Sequence, residues 1–551
     1  MRFRRFVVFA ASLAVVVCAT VNPLARAQES PQPVAIVSLA PLDRLLEDTS
    51  YLLRACNVPE IGGLVSIMAT QYTQGLDRTK PIGVSVTLDG QMPTALIFLP
   101  ISDRGQFFGA LAGMGIEPED LGDGLFEIDA NRQTIFVKHT GDWLYVAQTE
   151  DALAQLPADP LRILGELPRQ YNLAVRVNVQ ALPKELKDMA TAQMRVGFQR
   201  SLAEQRNQTD EERETARQMG EAQIQQIEQL ISDTEQVIFG WNVESSKQRV
   251  TIDVAAQFAE GSKLAGQVAA MENLSSDYTT FATPGSAAHF RFSSRIAEDD
   301  KAMQKQNLRN SMSQIEKQLE QSTDMPEETK AMLGELLRSL GKITEDTIDE
   351  GVFDGAASLS TADDTLRVLI GGRLADGREL EQALKQALTS LAGQSNAAQV
   401  DLAYGSHQGF TLHRVVAPLK IADPAAKDVL GDSLHLTLGT ADKAFVVSLD
   451  SAGDASLKAA IDRMDAAQAK AVAPFDGVIE VGQILRFAQA ISPNSILDTA
   501  LQTIQQYSGK DKVVISGRMI PRGGMYRVAI EEGVLRAAGA AAKSRGGNGG
   551  F

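Results

Sequence analysis

One order of elements can be read four times along this chain: a strand, two helices, a pair of strands, then a helix. Such an order constrains the fold more than any single motif does. Each helix must bury one stripe, and the nearest available apolar surface is the pleated layer made by its own strands. The first copy starts with a strand over 34–40. Helices over 42–56 and 60–76 follow, then strands over 82–88 and 94–101 turning at Asp89-Gly90, then a helix that Asp103 can cap. The second starts at 171–179. There Leu173, Val175, Val177 and Val179 alternate with Ala174, Arg176 and Asn178, the period of a half-buried strand. Its helices cover 184–206 and 210–233, with Thr209 and Glu212 in capping-box spacing, and strands at 237–243 and 249–255 lead to a helix over 260–271.

The third copy has a strand at 287–293, helices over 296–321 and 326–341, strands at 355–360 and 365–370, and a helix from Asp376. The fourth is compact: a strand at 477–481, short helices broken at Pro493, strands at 512–516 and 526–530, and an alanine-rich helix. Strand-rich inserts, at 125–146 and 410–449, follow the first and third copies, so the chain reads as a long–short pair, duplicated. The expected fold class is α+β, with tandem repeated β-αα-ββ-α units, mostly antiparallel sheets and long helical hairpins. The expected divisions are a signal peptide at 1–27, units at 28–170, 171–285, 286–474 and 475–538, and a flexible glycine-rich tail at 539–551.

The amino terminus carries an address. Arg2, Arg4 and Arg5 precede an apolar run from Phe6 to Thr20, and Ala25-Arg26-Ala27 offers small residues where a signal peptidase reads. The run is short for a membrane span. Cleavage before Gln28 would leave 524 residues exported to the periplasm or the extracellular space. Of the 53 lysines and arginines, four arginines lie in the leader, so the mature chain would hold 49 cations against 69 anions, a formal charge of −20. That balance opposes nucleic-acid and anionic-membrane partners. Cys18 lies in the leader and Cys56 is the one cysteine beyond it, so no intramolecular disulfide is expected. Val15-Val16-Val17-Cys18 departs from a lipoprotein box, because Val17 is not small.

Motifs for catalysis are weak throughout. Ser339-Leu340-Gly341-Lys342 matches Ser-x-x-Lys by letter, but sits near the expected end of a helix without a Lys-Thr-Gly partner. Gly405-Ser406-His407-Gln408-Gly409 has the wrong spacing for a nucleophile elbow and reads as a hairpin turn. The five histidines, His139, His289, His407, His413 and His435, lack metal-binding spacing, although His407, His413 and His435 fall in neighbouring strands or turns. Strand histidines ordinarily face solvent, and His289, alternating with Phe290 and Phe292, reads as the polar face of a sheet. The glycines between Gly371 and Gly377 join a strand to a helix, a place that suits a phosphate site or a plain turn, and the spacing favours the turn. Asp363-Asp364 reads as a turn, and Trp143 and Trp241 as packing residues. The reading therefore assigns no catalytic, cofactor-binding or metal residue.

Met194, Phe198 and Leu202, with Ile227 and Ile231, form narrow apolar stripes on the long helices. They suit a helical hairpin packed internally, or a surface for self-association. The leader, the strand Phe239-Gly240-Trp241, the junction Ala259-Glu260-Gly261-Ser262-Lys263-Leu264 and the strand 287–293 together resemble uncharacterised secreted proteins of planctomycete-type bacteria. That resemblance covers about half the chain and implies no activity. The expected function is an exported, non-enzymatic scaffold or binding protein with an envelope or extracellular protein partner. The alternatives are an extracytoplasmic hydrolase of unfamiliar type, or a carrier of apolar ligands.

Overall fold

The computed structural model describes residues 32–546, apart from 90–91, 131–132, 158, 205–209, 282, 284, 323–324, 362–364, 395–398, 420–426, 428–430, 451–452 and 467–469. The leader, the Gly90 turn, the Thr209 cap, Asp363-Asp364 and the last five residues lie outside it. The chain is a mixed α+β protein of helices and antiparallel sheet. It divides into two units at Ala265/Gly266.

The first unit runs β1 (Ala35–Leu39), α1 (Leu42–Ala55), α2 (Pro59–Tyr72), β2 (Ile82–Asp89), β3 (Met92–Pro100) and α3 (Arg104–Gly113). A meander follows: β4 (Pro118–Gly122), β5 (Leu125–Ala130), β6 (Gln133–Thr140) and β7 (Trp143–Ala147). After the short helices α4 (Pro160–Leu164) and α5 (Leu167–Gln170) come β8 (Leu173–Asn178), α6 (Lys184–Glu204), α7 (Asp210–Asp233), β9 (Thr234–Glu244) and β10 (Arg249–Phe258), and the division falls within α8 (Lys263–Ala270). Its strands lie antiparallel in the order β4-β5-β6-β7-β3-β2-β1-β8-β9-β10.

The second unit holds β11 (Ser275–Ser276), β12 (Ala288–Arg295), α9 (Lys301–Gln321), α10 (Glu327–Glu350), β13 (Val352–Ser360), β14 (Arg367–Arg373) and α11 (Gly377–Gln394). Its meander is β15 (Gln399–His407), β16 (Phe410–Pro418), β17 (Ser433–Ala441) and β18 (Ala444–Asp450), followed by α12 (Ala455–Ala466), β19 (Lys470–Ala471), β20 (Phe475–Glu480), α13 (Val481–Ile491), α14 (Ser495–Gln505), β21 (Lys512–Ile520), β22 (Gly523–Glu531) and α15 (Glu532–Gly546). The antiparallel order is β15-β16-β17-β18-β14-β13-β12-β20-β21-β22, and β11 pairs with β19.

The faces of these sheets invert the expected polarity. In β8, Ala174 is fully buried beneath the short helices, while Leu173, Val175 and Val177 are only partly covered. The row Ser38, Ala174, Gly240, Asp253 is the buried one. The neighbouring row Val84, Val37, Val175, Phe239, Val254 is the more open, with Phe239 and Val254 exposed. The cause is aromatic packing. Tyr171 lies on Gly240, where a Cβ would meet its ring at 2.2 Å, and Phe98 lies on Gly83 at 2.0 Å. Large rings over the sheet require small residues beneath them. Polar groups there are partnered: the Tyr171 hydroxyl donates to Asp253 at 2.9 Å and the Asn172 amide to Asp48 at 2.7 Å. In the second unit, Arg291 is buried while Phe292 is exposed, and Phe281 packs on Gly371. His289 accordingly lies on the covered side of β12, half-buried.

Helix ends show why some boundaries differ from expectation. Helix α10 continues nine residues past Gly341 and stops at Gly351, whose φ of 73° lets the backbone turn left-handed. Gly341 serves packing instead, since a Cβ would lie 2.9 Å from Met312 on α9. Gly220 does the same for Phe198 between α7 and α6. Helix α15 runs through Gly539 to Gly546, with Ala537 and Ala541 packed on Ala500 and Ile504 of α14, so the tail expected from 539 is helical up to that point. Asp103 caps α3 by accepting from Gln106 N at 3.0 Å. At α8 the acidic role passes from Glu260 to Asp233, which accepts from Leu264 N at 3.0 Å, with Ser262 accepting from Ala265 N.

Candidate functional site

Helix α10 presents Leu340, Ile343, Thr344 and Thr347 at helical spacing i, i+3, i+4, i+7, so all four share one face. Helix α11 adds Leu380 and Leu384, one turn apart. The sheet supplies Phe353 from β13, Arg373 at the end of β14, Leu438 and Thr440 from β17, and Phe445 and Val447 from β18. Between them lies a cavity of about 350 Å³. That volume is within the range of small-molecule sites, about 300–1,000 Å³. Ile343, Leu374 and Leu380 form its buried floor, packed with Leu384 and Phe445.

The turn from β14 into α11 sets the spacing of these walls. Gly372 leaves room for Phe445, and Gly377 passes so close to the β17–β18 turn that a Cβ would lie 1.7 Å from the Ala441 carbonyl. The Gly377 amide donates to the Asp442 carbonyl at 2.8 Å. Asp376 accepts from the amides of Arg378 and Glu379 at 2.9 and 3.0 Å. The helix start is thus occupied by its own carboxylate, and the glycines serve close packing, which makes this the plain strand-to-helix turn rather than a phosphate cradle.

Three threonines and one arginine stand among the apolar lining residues, and the Thr344 and Thr347 hydroxyls donate to the Leu340 and Ile343 carbonyls of their own helix. Thr440 Oγ1, on a residue 3% exposed, and Arg373 Nε are buried without a hydrogen-bond partner. Leaving such a group unsatisfied costs about 1–3 kcal/mol. The outer end of the Arg373 guanidinium donates from Nη2 to Glu350 Oε2 at 3.2 Å, and Lys443 Nζ donates to Glu350 Oε1 at 2.5 Å. The hydrogen bond from Lys443, followed by that from Arg373, outweighs burial and holds Glu350 below the ordinary carboxylate range. Two cations thus share one carboxylate beside the cavity. The neighbouring pairs Lys342–Glu379 and Arg378–Asp442 are each neutral.

A second cavity in this unit, about 340 Å³, is lined by Tyr278, Thr279, His289, Phe290, Arg291 and Asp476 among others. Two of its charged residues engage each other. Arg291 pairs with Asp476 and donates to the Ala473 carbonyl at 3.2 Å. Burial pushes the Tyr278 hydroxyl far up, with Asp354 and Asp277 adding to the effect, and burial also raises Asp354.

The residues weighed from sequence fall elsewhere. Ser339 and Lys342 sit in mid-helix on α10, with Lys342 bound to Glu379. Gln408 and Gly409, both at positive φ, make the tight turn between β15 and β16. His413 pairs with Leu438 and His435 with Val416, an odd offset that puts the two rings on opposite faces. His407 binds Asp462 and His435 binds Ser433. His413 does not face solvent: it is fully buried and its Nδ1 accepts from the Ala403 amide at 3.2 Å. Among the described residues no three His, Cys, Asp or Glu side chains group as metal ligands. Trp143 packs edge-on to Phe98 at 6.5 Å, and Trp241 lies half-buried in β9. No described helix is long and apolar enough to cross a membrane. No protein-family model, curated protein or solved structure matches the chain.

Proposed function

We propose that this chain is an exported, non-enzymatic binding protein that takes an apolar ligand into the cavity between α10, α11 and the sheet of its second unit. The carrying observation is that cavity, walled by leucine, isoleucine, phenylalanine and valine. A half-open apolar pocket of this size leaves leucine, isoleucine and phenylalanine surface facing water, and an apolar ligand would cover it. Duplication of a β-αα-ββ-α layout accounts for two sheets with corresponding strand orders, one of which is adapted for binding. The leader directs export to the periplasm or beyond, consistent with the resemblance to secreted planctomycete-type proteins. Met189, Val196 and Leu230 stay exposed on α6 and α7, which supports self-association or an envelope partner there.

Native mass spectrometry of protein purified from the export compartment tests the reading. About one apolar molecule per chain, released by organic extraction, is the expected result. Ligand-free protein that also takes up no added hydrocarbon probe would end the proposal.

A further inference from the structure

The sheet wall of the cavity continues beyond it as an open apolar face. By register, one row runs from Phe445 on β18 through Gly372, Gly355, Phe292, Phe475 and Gly517 to Tyr526 on β22. Two further rows, which start at Val447 and Leu449, share its face, because alternate residues of a strand point the same way. Across these strands every residue so placed is Phe, Tyr, Gly, Ala, Val, Leu or Ile. Arg291 and Asp476 lie on the other face. Six strand spacings by two side-chain repeats make the apolar area about 29 Å by about 14 Å. On it Phe292, Ile370 and Tyr526 are 47, 41 and 59% exposed. Contiguous open apolar area of several hundred Å² marks an interaction site.

Rings lie where the glycines lack a Cβ, and they level this floor. A Cβ would meet Phe290 at 2.5 Å on Gly477, Phe445 at 2.8 Å on Gly372, Phe292 at 3.1 Å on Gly355 and Tyr526 at 3.2 Å on Gly517. A surface so filled offers few grooves for the ridges of a packed helix. Its one side-chain hydrogen-bonding group is the Tyr526 hydroxyl, whereas a protein interface carries about one hydrogen bond per 100–200 Å². A second copy would also bring the same excess of 69 anions over 53 cations. Acyl chains need neither grooves nor hydrogen bonds, and in one membrane leaflet each spans about 15 Å. On the reading that the cavity takes an apolar ligand, we infer that this ligand is a zwitterionic membrane phospholipid. Its acyl chains cover the open face, and one of them enters the cavity beside Phe445.

Uptake of pyrene-labelled phosphatidylcholine from phosphatidylcholine vesicles tests this on the full chain. About one labelled lipid per chain should move into the protein fraction left after the vesicles are spun down. Phe292→Gln combined with Tyr526→Gln should cut that uptake at least 10-fold, while N-phenylnaphthylamine, a neutral fluorescent probe, binds the cavity as before. Both side chains are exposed, so neither change opens a void in the core. Unchanged uptake by the double variant would overturn the assignment of the face and leave the cavity standing. Unsubstituted protein that saturates with the probe but takes up no lipid would do the same. Protein that sediments with the vesicles would make the face a membrane-docking surface, and a dimer abolished by the double variant would make it a subunit interface; either overturns the assignment. Lipid uptake without probe binding would overturn the cavity reading alone. The uptake measurement uses unsubstituted protein, so it does not depend on the variant folding.

Discussion

The two units treat the same junction differently. In each, a helix follows the unit's third long strand and leads into a four-strand meander: α3 in the first unit, α11 in the second. Beneath α3 the space is filled by rings. Phe107 and Phe108 stand 5.6 Å apart, and Phe108 lies 4.5 Å from Phe126 of β5. Ile101, Ile128, Val137 and Leu144 close the cluster. On α11 the apolar residues facing the sheet are Leu380 and Leu384, and a cavity lies between them and the sheet. The adjoining helices differ as well. Helix α10 buries Ile343, Thr347 and Ile348, whereas α2 buries no residue and leaves Ile61, Leu64 and Ile67 exposed. One architecture can thus carry either a closed core or a hollow, depending on whether aromatic side chains fill the helix–sheet junction and whether the neighbouring helix is long enough to wall it.

Emptying the filled junction gives the largest effect. Phe126→Ala should destabilise the first unit by about 3–5 kcal/mol, read from its urea transition, because the removed ring leaves a void that surrounding residues refill only in part. A folded variant should also gain uptake of a hydrocarbon probe. A cost under about 1 kcal/mol would mean that Phe108 and Phe126 are not the fill described.

Filling the hollow is the milder converse. Leu384→Trp should shift stability of the second unit by no more than about 1.5 kcal/mol, since the added ring enters existing space. A large loss would mean that the walls are already in contact.

Acid should separate the units further. Four of the five histidines lie in the second unit. Burial lowers His289 and His413 below the usual 6.5; for His289 the Glu480 carboxylate, and for His413 the Glu381 carboxylate, partly oppose the shift. With the folded value depressed, the unfolded chain takes up protons first. The stabilising preference for neutral imidazole is complete above 6.5 and is lost as pH falls through 6.5 toward the folded values. The second unit's melting temperature should therefore drop on moving from pH 7.5 to 5.5, and His413→Gln should flatten that slope. An unchanged slope in the variant would remove His413 from the account.

Least should happen at the exposed helix-to-helix pairs, Arg195–Glu228 in the first unit and Arg309–Glu345 in the second. Solvent screens such pairs, so Arg309→Gln should leave both melting transitions within experimental error. A shift of several degrees would show these helices to be held by charge rather than by the contacts at Gly220 and Gly341.

Periodicity made the element order legible, because strands and helices announce themselves locally at periods of two and 3.6. Which face each sheet buries was not legible. Val175 and Phe292 look like core residues by hydropathy, but the rings of Tyr171 and Phe281 claim the small-residue face, over Gly240 and Gly371 on strands far along the chain. The cavity was missed for a related reason. Gly341 reads as a helix end, so Ile343, Thr344 and Thr347 fell outside the expected helix. Continuing the spacing from Leu340 to Gly351 would have exposed the stripe. Thr440 carries no motif at all; only the pairing of β17 with β18 brings it beside Phe445 on the cavity side.

Titration of N-phenylnaphthylamine into the unsubstituted protein and Leu384→Trp side by side tests the central claim most directly. One saturable site in the former and its loss in a normally folded Leu384→Trp is the expected result. Equal binding by the two proteins would contradict the account, because the ligand would then sit somewhere other than the hollow between α10, α11 and the sheet.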